Sequence, residues 1–185
     1  MKIGIYGGSF NPIHFGHIFL AEYIREELKF DKILFIPVGI PSHRENNLID
    51  YKHRVNMIKL SIQDNKYFEL CEIEKNKISF TYDTYKELKK KYPKDELYEI
   101  IGEDSAAYLY KWKDYEEMIK HVKFIVAKRS NSSYKSSEKN IIILNSPIIE
   151  ISASDIRNRI KIRKSIKYYL HQDVKEYIEK NKLYY

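Results

Sequence analysis

Short apolar runs alternate with helix-length segments along most of this chain, and few folds accept that pattern. The runs Lys2–Tyr6, Lys32–Val38, Phe68–Ile73, Leu97–Gly102, Lys123–Lys128 and Asn140–Leu144 read as strands. The segments Phe15–Leu28, Tyr51–Ile62, Tyr82–Lys91, Ser105–Tyr110, Tyr115–His121, Ser154–Ile160 and Asp173–Asn181 read as helices. In Tyr51–Ile62 the spacing of Val55, Ile58 and Ile62 puts them on one helical face. Strands separated by helices pair in parallel through right-handed crossovers. The expected fold is therefore α/β, a parallel sheet flanked by helices with a small C-terminal helical segment. Ligands of such sheets sit beyond the carboxyl ends of the strands. The Gly7 turn, the loop Gly39–Arg44 and Gly102-Glu103-Asp104 all follow strands, so the unusual residues gather at that edge.

Composition narrows the setting. A length of 185 residues suits one domain, 1–185, with a real core. Its single cysteine, Cys71, excludes an internal disulfide and reads as a buried small hydrophobe. Lys2 leads straight into the glycine turn rather than into a leader, and no run approaches the ~20 apolar residues of a membrane span. A cytoplasmic protein without membrane contact is expected. The net charge is +7, and from Ile151 onward nine Lys or Arg face four Asp or Glu. That excess suits an anionic partner or simply a solvated surface.

The chemistry concentrates in Gly7-Gly8-Ser9-Phe10-Asn11-Pro12-Ile13-His14-Phe15-Gly16-His17. Four of the six glycines lie within the first 16 residues, so they mark a local requirement rather than general flexibility. The string lacks the G-x-G-x-x-G dinucleotide fingerprint and the Gly-Lys-Ser/Thr of a P-loop. Instead His14 and His17 straddle a helix start, where free amides and the helix dipole favour anions. Their imidazoles can donate hydrogen bonds to phosphate oxygens. Pro12 fixes the approach to the helix, and Gly16 leaves its first turn open. A second segment, Ile151-Ser152-Ala153-Ser154-Asp155-Ile156-Arg157, offers serine caps and an arginine fork on another helix start. Taken alone, it reads as an ordinary capped basic helix.

Together the two ends resemble the nucleotidylyltransferase superfamily, with its G-x-F-x-P-x-H-x-G-H and I-S-x-[ST]-x-I-R signatures. Within it the chain is most similar to bacterial nicotinate-nucleotide adenylyltransferases. Pro37–Arg44, Ile78–Thr84, Ile100–Asp104 with Trp112, and the ending Val174–Tyr184 carry that narrower likeness. The resemblance implies a single Rossmann-like nucleotidylyltransferase domain. It would join the adenylyl group of ATP to nicotinate mononucleotide, giving nicotinate adenine dinucleotide and pyrophosphate in NAD biosynthesis.

Carried over, Gly7, Gly8, Ser9 and Phe10 line the ATP site, and Gly102 and Asp104 lie by the adenosine. His14 and His17 bind the phosphates, with Ser152, Ser154, Ile156 and Arg157 at the triphosphate. Trp112 stacks on the pyridine ring, the backbone at Phe80 and Thr81 receives its carboxylate, and His43 and Arg44 face the mononucleotide phosphate. His14, His17 and Arg157 are the expected catalytic residues. Magnesium is expected with ATP, without a protein-built metal site. Asn11, Val38 and Ser42 depart from the family's usual residues. His53, His121 and His171 match nothing and read as surface residues, and Arg129–Lys139 reads as a surface loop or a lid. The alternatives are transfer to nicotinamide mononucleotide or another phosphate-bearing acceptor such as phosphopantetheine, and, from a different class, a basic nucleic-acid-binding module. The histidine string argues against the last, so no nucleic-acid partner is expected. A homo-oligomer is compatible with the chain.

Overall fold

A computed structural model describes residues 1–42, 48–129, 134–147 and 149–185, apart from the Arg129 side chain. Its strands are β1 (Lys2–Gly8), β2 (Lys32–Pro37), β3 (Ile40–Pro41), β4 (Phe68–Leu70), β5 (Ile78–Ser79), β6 (Glu96–Gly102), β7 (Lys123–Arg129) and β8 (Ile141–Ser146). Its helices are α1 (Phe15–Leu28), α2 (Tyr51–Ile62), α3 (Thr81–Lys91), α4 (Glu103–Ala106), α5 (Tyr115–His121), α6 (Ala153–Lys161) and α7 (Gln172–Lys180). A short 3₁₀ turn covers Leu109–Lys111.

The six longer strands form one parallel sheet in the order β4-β2-β1-β6-β7-β8, which is the α/β arrangement that the alternation implies. Burial follows the strand period of two. Ile33, Phe35, Tyr98, Ile100 and Ile125 face one side and pack with Ala21 and Ile24 of α1, Met57 of α2, Ile156 of α6 and Val174 of α7. Ile3, Ile5, Leu34 and Ile36 face the other side, against Leu88 of α3, while Phe124 and Val126 meet Met118 of α5. Cys71 is buried at the edge of this second layer, as a small hydrophobe.

Three expectations change. Phe68–Ile73 shortens to Phe68–Leu70, because after the Cys71 amide donates to the Phe35 carbonyl at 2.9 Å the chain turns at Ile73. Ser105–Tyr110 divides into α4 and the 3₁₀ turn. The pair β3–β5, joined through Ile40–Ile78 and Pro41–Ser79, gives no periodic signal because each strand has only two residues. Two of the unassigned histidines also have work. His53 Nδ1 meets the Tyr177 hydroxyl at 2.9 Å, tying α2 to α7, and His171 Nδ1 caps α7 by accepting from the Asp173 amide. His121 is exposed.

Candidate active site

β1 has β2 on one side and β6 on the other, so the direction of winding reverses there. A crevice at the carboxyl ends of the strands follows from that reversal. Two cavities open at this edge, of about 720 and 450 Å³, and both are lined by Gly102 and Asp104. The larger sets Gly7, Gly8 and Ser9 against Phe80, Thr81 and Trp112. The smaller runs between Gly16 and Ser152, over Ala127.

The histidine loop is built from its own rings. Phe10 adopts a left-handed φ of 44°, and its ring drops into the core beneath Gly8. A Cβ at Gly8 would stand 3.0 Å from that ring, so a larger residue here would have to push the buried ring aside. The His17 ring packs at 5.2 Å on Phe10 and at 3.7 Å on His14. His17 Nδ1 accepts from the His14 amide at 3.2 Å, which leaves the imidazole proton on Nε2. His14 is 6% exposed, and its Nδ1 has no partner among the described residues. Of the first amides of α1, Phe15 donates to the Tyr169 carbonyl and His17 to the His14 carbonyl, whereas Gly16 has no partner among the described residues.

Burial holds both imidazoles neutral in the free protein. It pulls His14 down to about 4 and His17 well below its ordinary value, the latter helped by His14 beside it. The unfolded chain therefore binds more protons than the fold below the ordinary histidine value of 6.5. The stability owed to the neutral rings is fully present above that value and is lost as pH falls toward 4. Thermal unfolding is expected to show His14 alone removing about 2 kcal/mol between pH 7.5 and pH 5, with His17 adding in the same direction. His14→Asn should flatten that part of the profile.

Arg157 joins the two signature segments. From the second turn of α6 its Nη1 donates to the Asn11 carbonyl at 2.8 Å and its Nη2 to Ser154 Oγ at 3.2 Å. Ser152 caps the same helix, accepting from the Asp155 amide at 3.0 Å. The Tyr184 hydroxyl donates to Asn11 Oδ1 at 2.8 Å, so the chain's last turn also fastens the loop. The starts of α1 and α6 are thereby held side by side at the smaller cavity.

Other expected residues fall as follows. Phe10 and Ile156 are buried in the core and line neither cavity. Asp104 is exposed, and Trp112 is half-buried on the cavity wall. Val38 and Ser42 line the larger cavity. His43 and Arg44 lie outside the described residues, as does part of Arg129–Lys139. Among the described residues no three His, Cys, Asp or Glu side chains are grouped to hold a metal ion, and no helix is long and apolar enough to cross a membrane.

Sequence reasoning missed Arg54. It is 2% exposed and donates to the carbonyls of Ile49 and Ser9 and, at 3.5 Å, of Gly39, with no carboxylate partner among the described residues. It braces the glycine loop and keeps a positive charge behind it. The available signal was an arginine next to Val55 and one turn before Ile58, on the apolar face of α2.

Residues 5–159 match a family model described as Cytidylyltransferase-like. A probable nicotinate-nucleotide adenylyltransferase of Dictyoglomus turgidum is 41% identical, the alignment covering 100% of this chain and 96% of the relative. The nicotinate-nucleotide adenylyltransferase of Bacillus subtilis is 40% identical over 99% of this chain and 98% of its own. Among solved structures, the Plasmodium falciparum nicotinic acid mononucleotide adenylyltransferase complexed with NaAD superposes with a TM-score of 0.83 at 25% identity, covering 99% of this chain and 97% of that one.

Proposed function

Because the chain belongs to the cytidylyltransferase-like family, and within it to the nicotinate-nucleotide adenylyltransferases, we propose that its two cavities divide ATP and nicotinate mononucleotide between them. The observation that carries this division is Arg157 reaching from α6 to the Asn11 carbonyl, which makes one clamp of two phosphate-binding helix starts. The triphosphate lies along Gly16, His14, His17 and Ser152–Arg157. Gly102 and Asp104 hold the adenosine where the cavities meet. The mononucleotide occupies the larger cavity, with its ring on Trp112 and its carboxylate toward Phe80 and Thr81. His43 and Arg44 face its phosphate. The unit is a single nucleotidylyltransferase domain over residues 1–185, working in the cytoplasm.

The reaction needs no side-chain base. An anionic phosphate oxygen of the mononucleotide attacks the α-phosphorus and forms the new P–O bond. The bond from that phosphorus to the α,β-bridging oxygen breaks, and its electron pair leaves on pyrophosphate. Magnesium enters with ATP as part of the substrate, bound to phosphates and retaining waters. Alignment and charge stabilisation remain for the protein to supply. The histidines enter neutral, as N–H donors. An arriving triphosphate favours their charged form, so their grip tightens as the substrate settles. Arg157 and His17 meet the charge that develops at the α-phosphate, and His14 positions the chain of phosphates.

Pyrophosphate release from ATP and magnesium, measured with nicotinate mononucleotide, nicotinamide mononucleotide and phosphopantetheine in turn, tests this reading. Nicotinate mononucleotide is expected to be the best acceptor. Release with none of them would refute it.

A further inference from the structure

Two arginines from different helices hold the histidine loop on either side of its strained residue. Arg157 of α6 takes the Asn11 carbonyl at 2.8 Å. Arg54 of α2 takes the Ser9 carbonyl at 3.0 Å, two residues earlier. Between them stands Phe10, whose left-handed φ of 44° is costly for a bulky side chain. Such a residue persists only where its surroundings over-determine it. Its φ is set against the plane of the Ser9–Phe10 peptide, and Arg54 fixes that plane by its carbonyl. The Phe10 ring then packs on Tyr6, Phe35 and His17, at 5.7, 5.8 and 5.2 Å. A chain of direct contacts therefore runs from the Arg54 guanidinium, through one peptide and one ring, to the His17 imidazole.

Arg54 lines neither cavity, so it is placed to act without touching a ligand. Its remaining donors go to the Ile49 carbonyl at 3.2 Å and the Gly39 carbonyl at 3.5 Å. The guanidinium carbon lies 5.2 Å from the centre of the Tyr51 ring. Burying a charge without a counter-charge is costly, so a post that served packing alone would be better neutral. What this side chain supplies, and a neutral one does not, is several donors in a fixed fork.

We propose that Arg54 is a positioning residue for the transfer reaction, holding the His17 ring in place through the Ser9–Phe10 peptide. The proposal rests on His17 donating to the α-phosphate. Its effect on turnover therefore passes through His17 and disappears when that ring is gone.

The test is a double-mutant cycle in kcat on the full-length protein, with saturating ATP and nicotinate mononucleotide. The four proteins are the unaltered chain, Arg54→Lys, His17→Ala and the double variant. Arg54→Lys keeps the charge and loses the fork. Alone it is expected to lower kcat about tenfold, the scale of a slight misplacement of a reacting group. In the His17→Ala background the same change should cost less than about twofold. A purely structural role would give the same loss in both backgrounds, and that result would overturn the proposal. So would an Arg54→Lys protein as fast as the unaltered one, or a His17→Ala protein with unaltered kcat. Should Arg54→Lys not fold, Arg54→Gln runs the same cycle with the same expectations, since it sheds the buried charge and keeps a planar donor. Failure of both to fold would make Arg54 a structural post and overturn the proposal. If the unaltered protein turns over no acceptor, the adenylyl-transfer reading falls instead, and this proposal with it.

Discussion

Replacing His17 by alanine is expected to lower kcat about 100-fold, the cost of removing one preorganised donor from a developing oxyanion. The ring is held by packing on Phe10 and His14, and its Nδ1 is already committed to the His14 amide. Only Nε2–H remains to offer a ligand. Removing the ring should change kcat more than the KM for either substrate, because the interaction strengthens further as charge develops. Steady-state kinetics with saturating ATP and acceptor check this. A kcat within a factor of a few of the unaltered protein would remove His17 from the catalytic set. So would a loss confined to KM.

The second large effect concerns stability. At Gly39→Ala the new methyl would collide with the Glu74 carbonyl oxygen and stand 2.5 Å from that of Lys77. Both obstacles are backbone, so neither can rotate away. Gly39 also donates to Ser79 Oγ at 2.9 Å, beside the β3–β5 pair. The 38–41 and 74–79 segments must therefore separate, and both line the acceptor cavity. A loss of about 3 kcal/mol is expected, read as a Tm roughly 10 °C lower, with a raised acceptor KM. Gly102→Ala is the internal control. Its Cβ would meet nothing within 4 Å, so the Tm should hold and any loss should appear in the KM for ATP. Equal Tm values for the two variants would contradict the packing argument.

The contrast between these glycines shows where sequence reading stops. The strand–helix alternation was legible because each long strand buries a run of apolar residues, and that fixed the parallel sheet and its ligand edge. His14, His17, Ser152 and Arg157 could be singled out as candidates because the two helix starts together match the superfamily's signatures, although the second start alone reads as an ordinary capped helix. The clash at Gly39 depends on two carbonyls some 35 residues away in the chain, whose approach no local pattern records. Arg54 was hidden for a similar reason, since its three carbonyl partners come from separate loops. Phe10 shows what a motif does not reveal: its side chain supports the loop from below.

The central claim is a clamp whose two halves are the starts of α1 and α6, with the acceptor in the Trp112 cavity. A crystal structure with magnesium, a non-hydrolysable ATP analogue and nicotinate mononucleotide tests it most directly. The account predicts the triphosphate between Gly16, the histidine rings and Arg157, and the pyridine ring against Trp112. A triphosphate lodged in the Trp112 cavity, or one touching neither His17 nor Arg157, would contradict it.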